Sequence, residues 1–408
     1  MKIAIVGCGA GGGTAAQFAR KTNRKAEIIV YDKERYGQYS KCALPLVIAG
    51  KDWKEIIEFP PSWFEKNGIE YRHEEVYKID LEGRVIEGEK EEDFDKVIVA
   101  TGAEPSCPFE AQNALFLRCL DDAIEIRNKI KKGGQAVIVG AGLIGLEVAE
   151  ALAKCKMNVK VLEYMPYILP NMLDEDVANY LLKKLPLDVE LGCKVEKIEE
   201  GKVIADEEYK ADLAIVAVGN KAVTPFGKAI EVDEKCMFAE NAFAVGDCTI
   251  IRDFFGRKIQ VGLGSIAVRQ GMVAGINSAG GNETILPSLL PKTTKIFGIE
   301  VASVGLLSNE VDGFSSKYIG KDLPHYMDGN DILVKVIANK EGKIVGCQAI
   351  GNGASKIIDR VALAIYNRMH VGMLSKMENA YAPTVAPVFD AVSIACQMLT
   401  KKMEKGRS

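Results

Sequence analysis

Two glycine clusters have the spacing of a phosphate cradle. Gly7-x-Gly9-x-x-Gly12 and Gly140-x-Gly142-x-x-Gly145 each follow an apolar run and precede a stretch of helical character. An acid closes each unit: Asp32 lies 25 residues beyond Gly7, and Glu163 lies 23 residues beyond Gly140. The first glycine permits a tight turn, the second lets a pyrophosphate approach the backbone, and the third lets helix and strand pack closely. Phosphates then face the positive end of the helix dipole, while the acid accepts hydrogen bonds from a ribose hydroxyl and repels a 2′-phosphate. One such triplet is a weak signal, but two in full strand–turn–helix–strand–acid context are a strong one.

Sulfur is the second candidate chemistry. The ten cysteines, at positions 8, 42, 107, 119, 155, 193, 236, 248, 347 and 396, form no CxxC, no CxxxxC and no metal-type spacing, and the histidines are His73, His325 and His370. No metal site is expected from such a pattern. Scattered cysteines fit a reducing compartment, where most are small buried apolar residues. Cys42 differs, because the segment from Ala43 on has an apolar helical character with Pro45 in its first turn. A thiol at a helix N-terminus beside Lys41 has both a dipole and a fixed positive charge to favour its thiolate. Cys8, inside the first glycine turn, is expected only to pack.

The elements that must position these groups repeat. Lys2 to Val6, the glycine turn, Gly13 to Arg20 and Glu27 to Asp32 form one strand–turn–helix–strand unit. Ala136 to Val139, the second turn, Leu146 to Lys154 and Val159 to Glu163 form the other. Apolar strands also end in turns at Lys96 to Ala103, Leu213 to Gly219 and Ala242 to Asp247, and in a parallel sheet such ends point to the ligand edge. Glu70 to Val85 and Val189 to Ile204 alternate like small antiparallel inserts. After Ala279-Gly-Gly-Asn282, Pro287 and Pro291 the character changes. Strand-like Glu300 to Val304, Ile332 to Ala338 and Lys343 to Ile350 precede a helical region from Ser355 to Tyr366, which reads as an α+β domain without a nucleotide fingerprint.

Composition sets the bounds. At roughly 150 residues per domain, 408 residues make two or three domains. With 52 Lys plus Arg against 56 Asp plus Glu, the net charge of −4 favours neither nucleic acid nor an anionic membrane. Hydrophobic residues at 48% with 26% charged describe a soluble globular protein. The longest apolar stretch, Ala136 to Ala153, is interrupted by Glu147 and Glu150 and is not expected to span a membrane. Ile3 to Val6 is too short for the apolar core of a secretory signal, so a cytoplasmic protein is expected.

Together, the first fingerprint, Ala100-Thr-Gly-Ala103, the second fingerprint and Ala244-Val-Gly-Asp247 resemble the FAD-dependent pyridine nucleotide–disulfide oxidoreductases. The resemblance spans essentially the whole chain. It implies an α/β fold of two nested Rossmann-like dinucleotide-binding domains plus an α+β C-terminal dimerisation domain. The FAD-binding domain would be discontinuous (1–109 and 240–283), with 110–239 binding NAD(P)H and 284–408 forming the dimer. FAD would lie on Gly7, Gly9, Gly12, Asp32 and Lys33, with Ala100, Thr101, Gly102, Gly246, Asp247 and Ala267 beside it. NADH, with NADPH also admitted, would lie on Gly140, Gly142, Gly145, Glu163 and Gly219.

The thiols choose the branch. Cys42 in Tyr39-Ser-Lys-Cys-Ala-Leu-Pro45 looks like the single redox cysteine of coenzyme A disulfide reductases and of the related NADH oxidases and peroxidases. Tyr381 opens Tyr381-Ala-Pro-Thr-Val-Ala-Pro-Val-Phe-Asp390, which is similar to the segment whose tyrosine crosses the dimer interface in that group. Ala10 stands where the peroxidases and oxidases carry a histidine, and coenzyme A disulfide reductases have alanine there. The family binds coenzyme A phosphates near the positions of Arg20, Lys21 and Arg24, and Lys41 could add a further contact. Gln38 and Lys41 replace a family serine and asparagine, and Thr384 and Val385 replace a proline and phenylalanine. The resemblance thus implies hydride transfer from NADH to FAD and on, through Cys42, to a disulfide. Coenzyme A would be substrate or mixed-disulfide partner, and Tyr381 would act across a homodimer. An oxygen-reducing NADH oxidase, a polysulfide or persulfide reductase, and an electron-carrier reductase independent of Cys42 remain alternatives.

Overall fold

The structure, a computed structural model, describes residues 1–405. Its chain forms two compact units. One comprises Met1–Pro108, Leu115–Ile130 and Val216–Ser288; the other comprises Phe109–Ala114, Lys131–Ile215 and the chain from Leu289 on.

The first unit is built on a six-stranded sheet in the order Met237–Ala239, Ala242–Ala244, Lys96–Val99, Lys2–Val6, Glu27–Asp32, Glu70–His73. All neighbours are parallel except the first pair. Strand residues Ile3, Ile5, Ile28, Val30 and Ile98 are buried. Parallel sheets are covered on both faces, so their strands are apolar on both, and each such side chain contributes roughly 2 kcal/mol by leaving water. Helix Ala10–Thr22 packs along helix Gly264–Ser278. Their backbones nearly touch: a Cβ at Gly271 would lie 2.2 Å from the Gly11 carbonyl oxygen, and one at Gly275 would lie 2.3 Å from that of Ala15.

The second unit carries the other parallel sheet, in the order Asp188–Leu191, Asn158–Glu163, Gln135–Val139, Leu213–Val216, with helix Leu143–Lys154 following the second glycine turn. Its C-terminal part is a five-stranded antiparallel sheet in the order Lys292–Ile296, Ile299–Gly305, Ile344–Ile350, Asp331–Asn339, Gly313–Lys321. Helices Ala354–Tyr366 and Ala391–Lys405 pack against it. Lys335, buried in this sheet, places its ammonium 2.6 Å from Asp174 and 2.7 Å from Asp176, which offsets the cost of burying the charge.

The α/β class, with parallel dinucleotide-type sheets and an antiparallel C-terminal region, agrees with the sequence reading. Two expected inserts do not hold as drawn. Glu70–His73 is the parallel edge of the first sheet and Asp188–Leu191 that of the second, while the antiparallel ribbons begin only at Lys78–Asp80 and Lys197–Glu199. Among the described residues, no helix is long and apolar enough to cross a membrane.

Candidate functional site

The first glycine turn is shaped by steric necessity. Gly7 has φ +99°, and a Cβ there would lie 2.4 Å from the carbonyl oxygen of Ala100. A Cβ at Gly12 would lie 1.9 Å from the carbonyl oxygen of Gly7. Beside Gly9, by contrast, a Cβ would meet no protein atom within 4 Å, so the helix N-terminus opens onto free space of the kind a pyrophosphate needs. Asp32 ends the second strand and is buried. Its Oδ2 accepts from the Tyr71 hydroxyl at 3.0 Å and its Oδ1 from the Glu34 N–H at 3.3 Å. Burial, and then the nearby Glu34 charge, lift its carboxyl to about 6. Lys33, next in sequence, is exposed.

Strand ends from distant parts of the chain meet around Gly246. Its N–H donates to Gln270 Oε1 at 2.8 Å, and a Cβ on it would lie 3.5 Å from that of Ala267. Asp247 pairs with Arg118 at 2.9 Å, and the same guanidinium lies 3.1 Å from where a Cβ of Gly102 would stand. Thr101 donates its hydroxyl to the Val223 carbonyl at 2.5 Å, and the Ala100 N–H donates to the Val6 carbonyl at 2.7 Å. Ala100, Thr101, Gly102, Gly246, Asp247 and Ala267 are thus gathered in the first unit. Arg118 and Gln270, which tie them together, escaped the sequence reading. Gln270 carried little signal, since it follows Arg269 within the stretch Ile266 to Ile276.

Cys42 is exposed within the 3-10 turn Lys41–Ala43, ahead of the five-residue helix Leu44–Ile48. A Cβ on Gly264 would lie 3.7 Å from its Sγ. The sulfur therefore sits at the start of the 15-residue helix Gly264–Ser278, the helix that supplies Ala267 and Gln270. Cys42 also lies in the turn that leads directly into helix Leu44–Ile48, as the residue pattern predicts, so the starts of both helices lie near it. Lys41 turns its ammonium to Glu34 Oε1 at 2.7 Å. Gln38 is buried against the first-turn helix, where Gly13 leaves room for its amide, and accepts from Gln17 Nε2 at 3.3 Å. Cys8 is buried, and burial pushes its thiol up.

The second glycine turn repeats the open geometry. Gly140 has φ +104°, Gly145 is buried, and a Cβ at Gly142 would meet no atom within 4 Å. Glu163 is buried too, but its oxygens accept the N–H of Ala141 at 2.6 Å and of Met165 at 2.7 Å. Gly219, in the first unit, has φ +127°. Tyr381 is half exposed, with its hydroxyl 3.4 Å from that of Tyr326. Arg360 grips both ends of its loop, donating to Asn379 Oδ1 at 3.2 Å and Asp390 Oδ2 at 2.5 Å.

The basic cluster is divided. Arg20 does not point outward: its guanidinium donates to the carbonyls of Asn23, Arg24, Ala26 and Gly68. It ties off the end of its own helix, whereas Lys21 and Arg24 are exposed.

Comparison with known proteins agrees with this geometry. Residues 1–271 match the family described as pyridine nucleotide-disulphide oxidoreductase, and residues 292–392 match its dimerisation domain. The chain is 33% identical over 457 residues to an NADH oxidase of Methanocaldococcus jannaschii, with 99% of each chain covered. It is 30% identical to an NAD(P)H coenzyme A polysulfide/persulfide reductase of Pyrococcus horikoshii, with 98% of each covered. The solved structure of an NAD-dependent persulfide reductase from A. fulgidus is similar with a TM-score of 0.93 at 29% identity, covering 99% of this chain and 84% of that one.

Proposed function

This chain belongs to the pyridine nucleotide-disulphide oxidoreductases, which depend on FAD and NAD(P)H, and on that premise we propose that it reduces sulfur–sulfur bonds at Cys42. The carrying observation is the exposed Sγ beside Gly264, in the helix that also packs on Gly246. The glycine turns fit the cofactors: both leave open space at the middle glycine, and each has a buried acid at the end of its second strand.

In this reading the first unit holds FAD, with Asp32 toward the adenosine ribose and Gly246, Asp247 and Ala267 toward the flavin end. The Gly140 turn holds NADH, and Glu163 disfavours the 2′-phosphate of NADPH by charge repulsion. Bound FAD supplies the two-electron relay between nicotinamide and sulfur. The chain's own chemistry is at sulfur. Cys42 thiolate attacks one sulfur of the substrate, a mixed disulfide forms, and the other sulfur leaves as a thiol after taking a proton. Two electrons then return Cys42 to thiolate and release the second thiol. The balance is NADH, one proton and RSSR giving NAD⁺ and two RSH. One cysteine suffices because the substrate provides the second sulfur.

Coenzyme A disulfide is the substrate this reading prefers, its phosphates met by exposed Lys21 and Arg24. Tyr381 of the partner subunit donates the proton in a homodimer; the exposed apolar side chains of its loop, Val385 and Phe389, suit coverage by a second copy. Similarity to persulfide reductases supports a second reading with a smaller sulfur substrate at the same Cys42.

Cys42→Ser tests the proposal. Turnover of coenzyme A disulfide and of persulfide should fall by about 10²-fold or more, with NADH-dependent dye reduction retained. The ratio of the two substrates' kcat/KM in the parent enzyme separates the two readings. Unchanged disulfide and persulfide turnover in the variant would leave oxygen or an electron carrier as the acceptor.

A further inference from the structure

One ion pair lies a single residue from the sulfur and has no part in the chemistry above. Lys41 and Cys42 are consecutive in the same 3-10 turn. The Lys41 ammonium lies 2.7 Å from Glu34 Oε1 and 5.5 Å from the centre of the Tyr39 ring. Glu34 is itself held from several sides. Its other carboxylate oxygen accepts the Tyr39 hydroxyl at 2.5 Å, its N–H donates to Asp32, and its carbonyl accepts the Tyr71 hydroxyl at 2.6 Å. Tyr39 is buried, and its hydroxyl also accepts the N–H of Leu120 at 3.0 Å, which anchors the pair to the first turn of helix Leu120–Lys129. The side chains of Glu34 and Lys41 are 17% and 31% exposed, so the pair is better shielded than a surface salt bridge.

We propose that Glu34 is a positioning residue for Cys42, holding the Lys41 ammonium on its own carboxylate and so keeping that cation from over-stabilising the adjacent thiolate. The proposal rests on the reading of Cys42 as the reactive sulfur. An ammonium beside a thiolate lowers its proton affinity, but a thiolate made too stable is a weaker nucleophile and a better leaving group. Attack on the substrate would slow, and the mixed disulfide would be lost to competing thiols. Other titratable groups face the pair from neighbouring elements. They are Asp32 and Tyr71 along the Glu34 backbone, Tyr39 at its carboxylate, Cys119 at the start of helix Leu120–Lys129, and Cys8 in the first glycine turn. None of these five is a cation; the neighbouring Arg35 turns to Asp121 and Tyr36, and the ammonium of Lys41 is the one on the Glu34 carboxylate.

The test reads the thiol directly. The rate of Cys42 alkylation by iodoacetamide, followed by peptide mass spectrometry across a pH series, gives the midpoint of thiolate formation in the FAD-loaded protein. Glu34→Gln should lower that midpoint by about one pH unit. In the Lys41→Gln background the same substitution should leave it unmoved. An unchanged midpoint in Glu34→Gln overturns the proposal, and so does an equal drop in both backgrounds, which would make Glu34 act on the sulfur without Lys41. If Glu34→Gln fails to retain flavin, Glu34→Asp, with its retracted carboxylate, should give a smaller fall in the same direction; no fall overturns the proposal. Failure of the disulfide-reductase reading appears separately, as intact turnover in Cys42→Ser.

Discussion

In the first βαβ unit the helix opens with Gly11-Gly12-Gly13; in the second, the corresponding positions hold Ile144-Gly145-Leu146. The difference follows the neighbours. Helix Gly264–Ser278 presses on the first so closely that Gly271 admits no side chain, a Cβ on Gly11 would lie 2.8 Å from the Val245 side chain, and Gln38 fills the room left by Gly13. In the second, Ile144 is 38% exposed. The acids differ too. Asp32 lies beside Glu34 with a hydroxyl and one long backbone N–H as donors, whereas Glu163 already accepts two short backbone N–H bonds. A buried carboxylate short of strong donors gains much when a ligand hydroxyl arrives, while a satisfied one gains little.

The contrast breaks most visibly at the glycines. Gly271→Ala puts a methyl group against the Gly11 backbone and should destabilise the protein by more than about 3 kcal/mol, with loss of bound flavin read from visible absorbance and thermal melting. Gly142→Ala, facing open space, should cost less than about 1 kcal/mol in the same melt and raise KM for NADH.

The acids sharpen it. Asp32 titrates at about 6 in the folded chain against 3.8 ordinarily. The folded state thus holds its proton more tightly, and the stability it contributes is present below about pH 4 and lost as pH rises through 6. In flavin-stripped protein this should lower unfolding free energy by roughly 2 to 3 kcal/mol across that window, and Asp32→Asn should flatten the dependence measured by denaturant titration. Glu163→Gln removes charge from two hydrogen bonds and should cost about 1 to 2 kcal/mol, while lifting the discrimination against NADPH seen in the ratio of kcat/KM values.

Much of the scaffold was legible because its signals are local. The two fingerprints, their acids, the strands Lys96–Val99 and Ala242–Ala244 and the helix Ala354–Tyr366 all lie near where the residue pattern predicts them. The sequence alternation of Glu70–His73 and Asp188–Leu191 does not separate a parallel edge strand from a ribbon, and the burial of their side chains does not alternate. The strand Gly313–Lys321 went unnoticed, since its Gly-Phe-Ser-Ser-Lys run has little apolar periodicity. Arg20 belongs to a basic cluster in sequence, and only the structure shows that its guanidinium is occupied by four backbone carbonyls.

By itself the sequence determined the paired dinucleotide units, the singular position of Cys42 and the change of character after Pro291, because glycine stereochemistry and apolar runs act over a few neighbouring residues. Tertiary structure alone decided that Gly264 lies beside that sulfur, that Arg118 pairs with Asp247 across 129 residues, and that Lys41 faces Glu34. Such contacts depend on how separate elements stack, and no short-range pattern encodes the partner that burial will bring alongside.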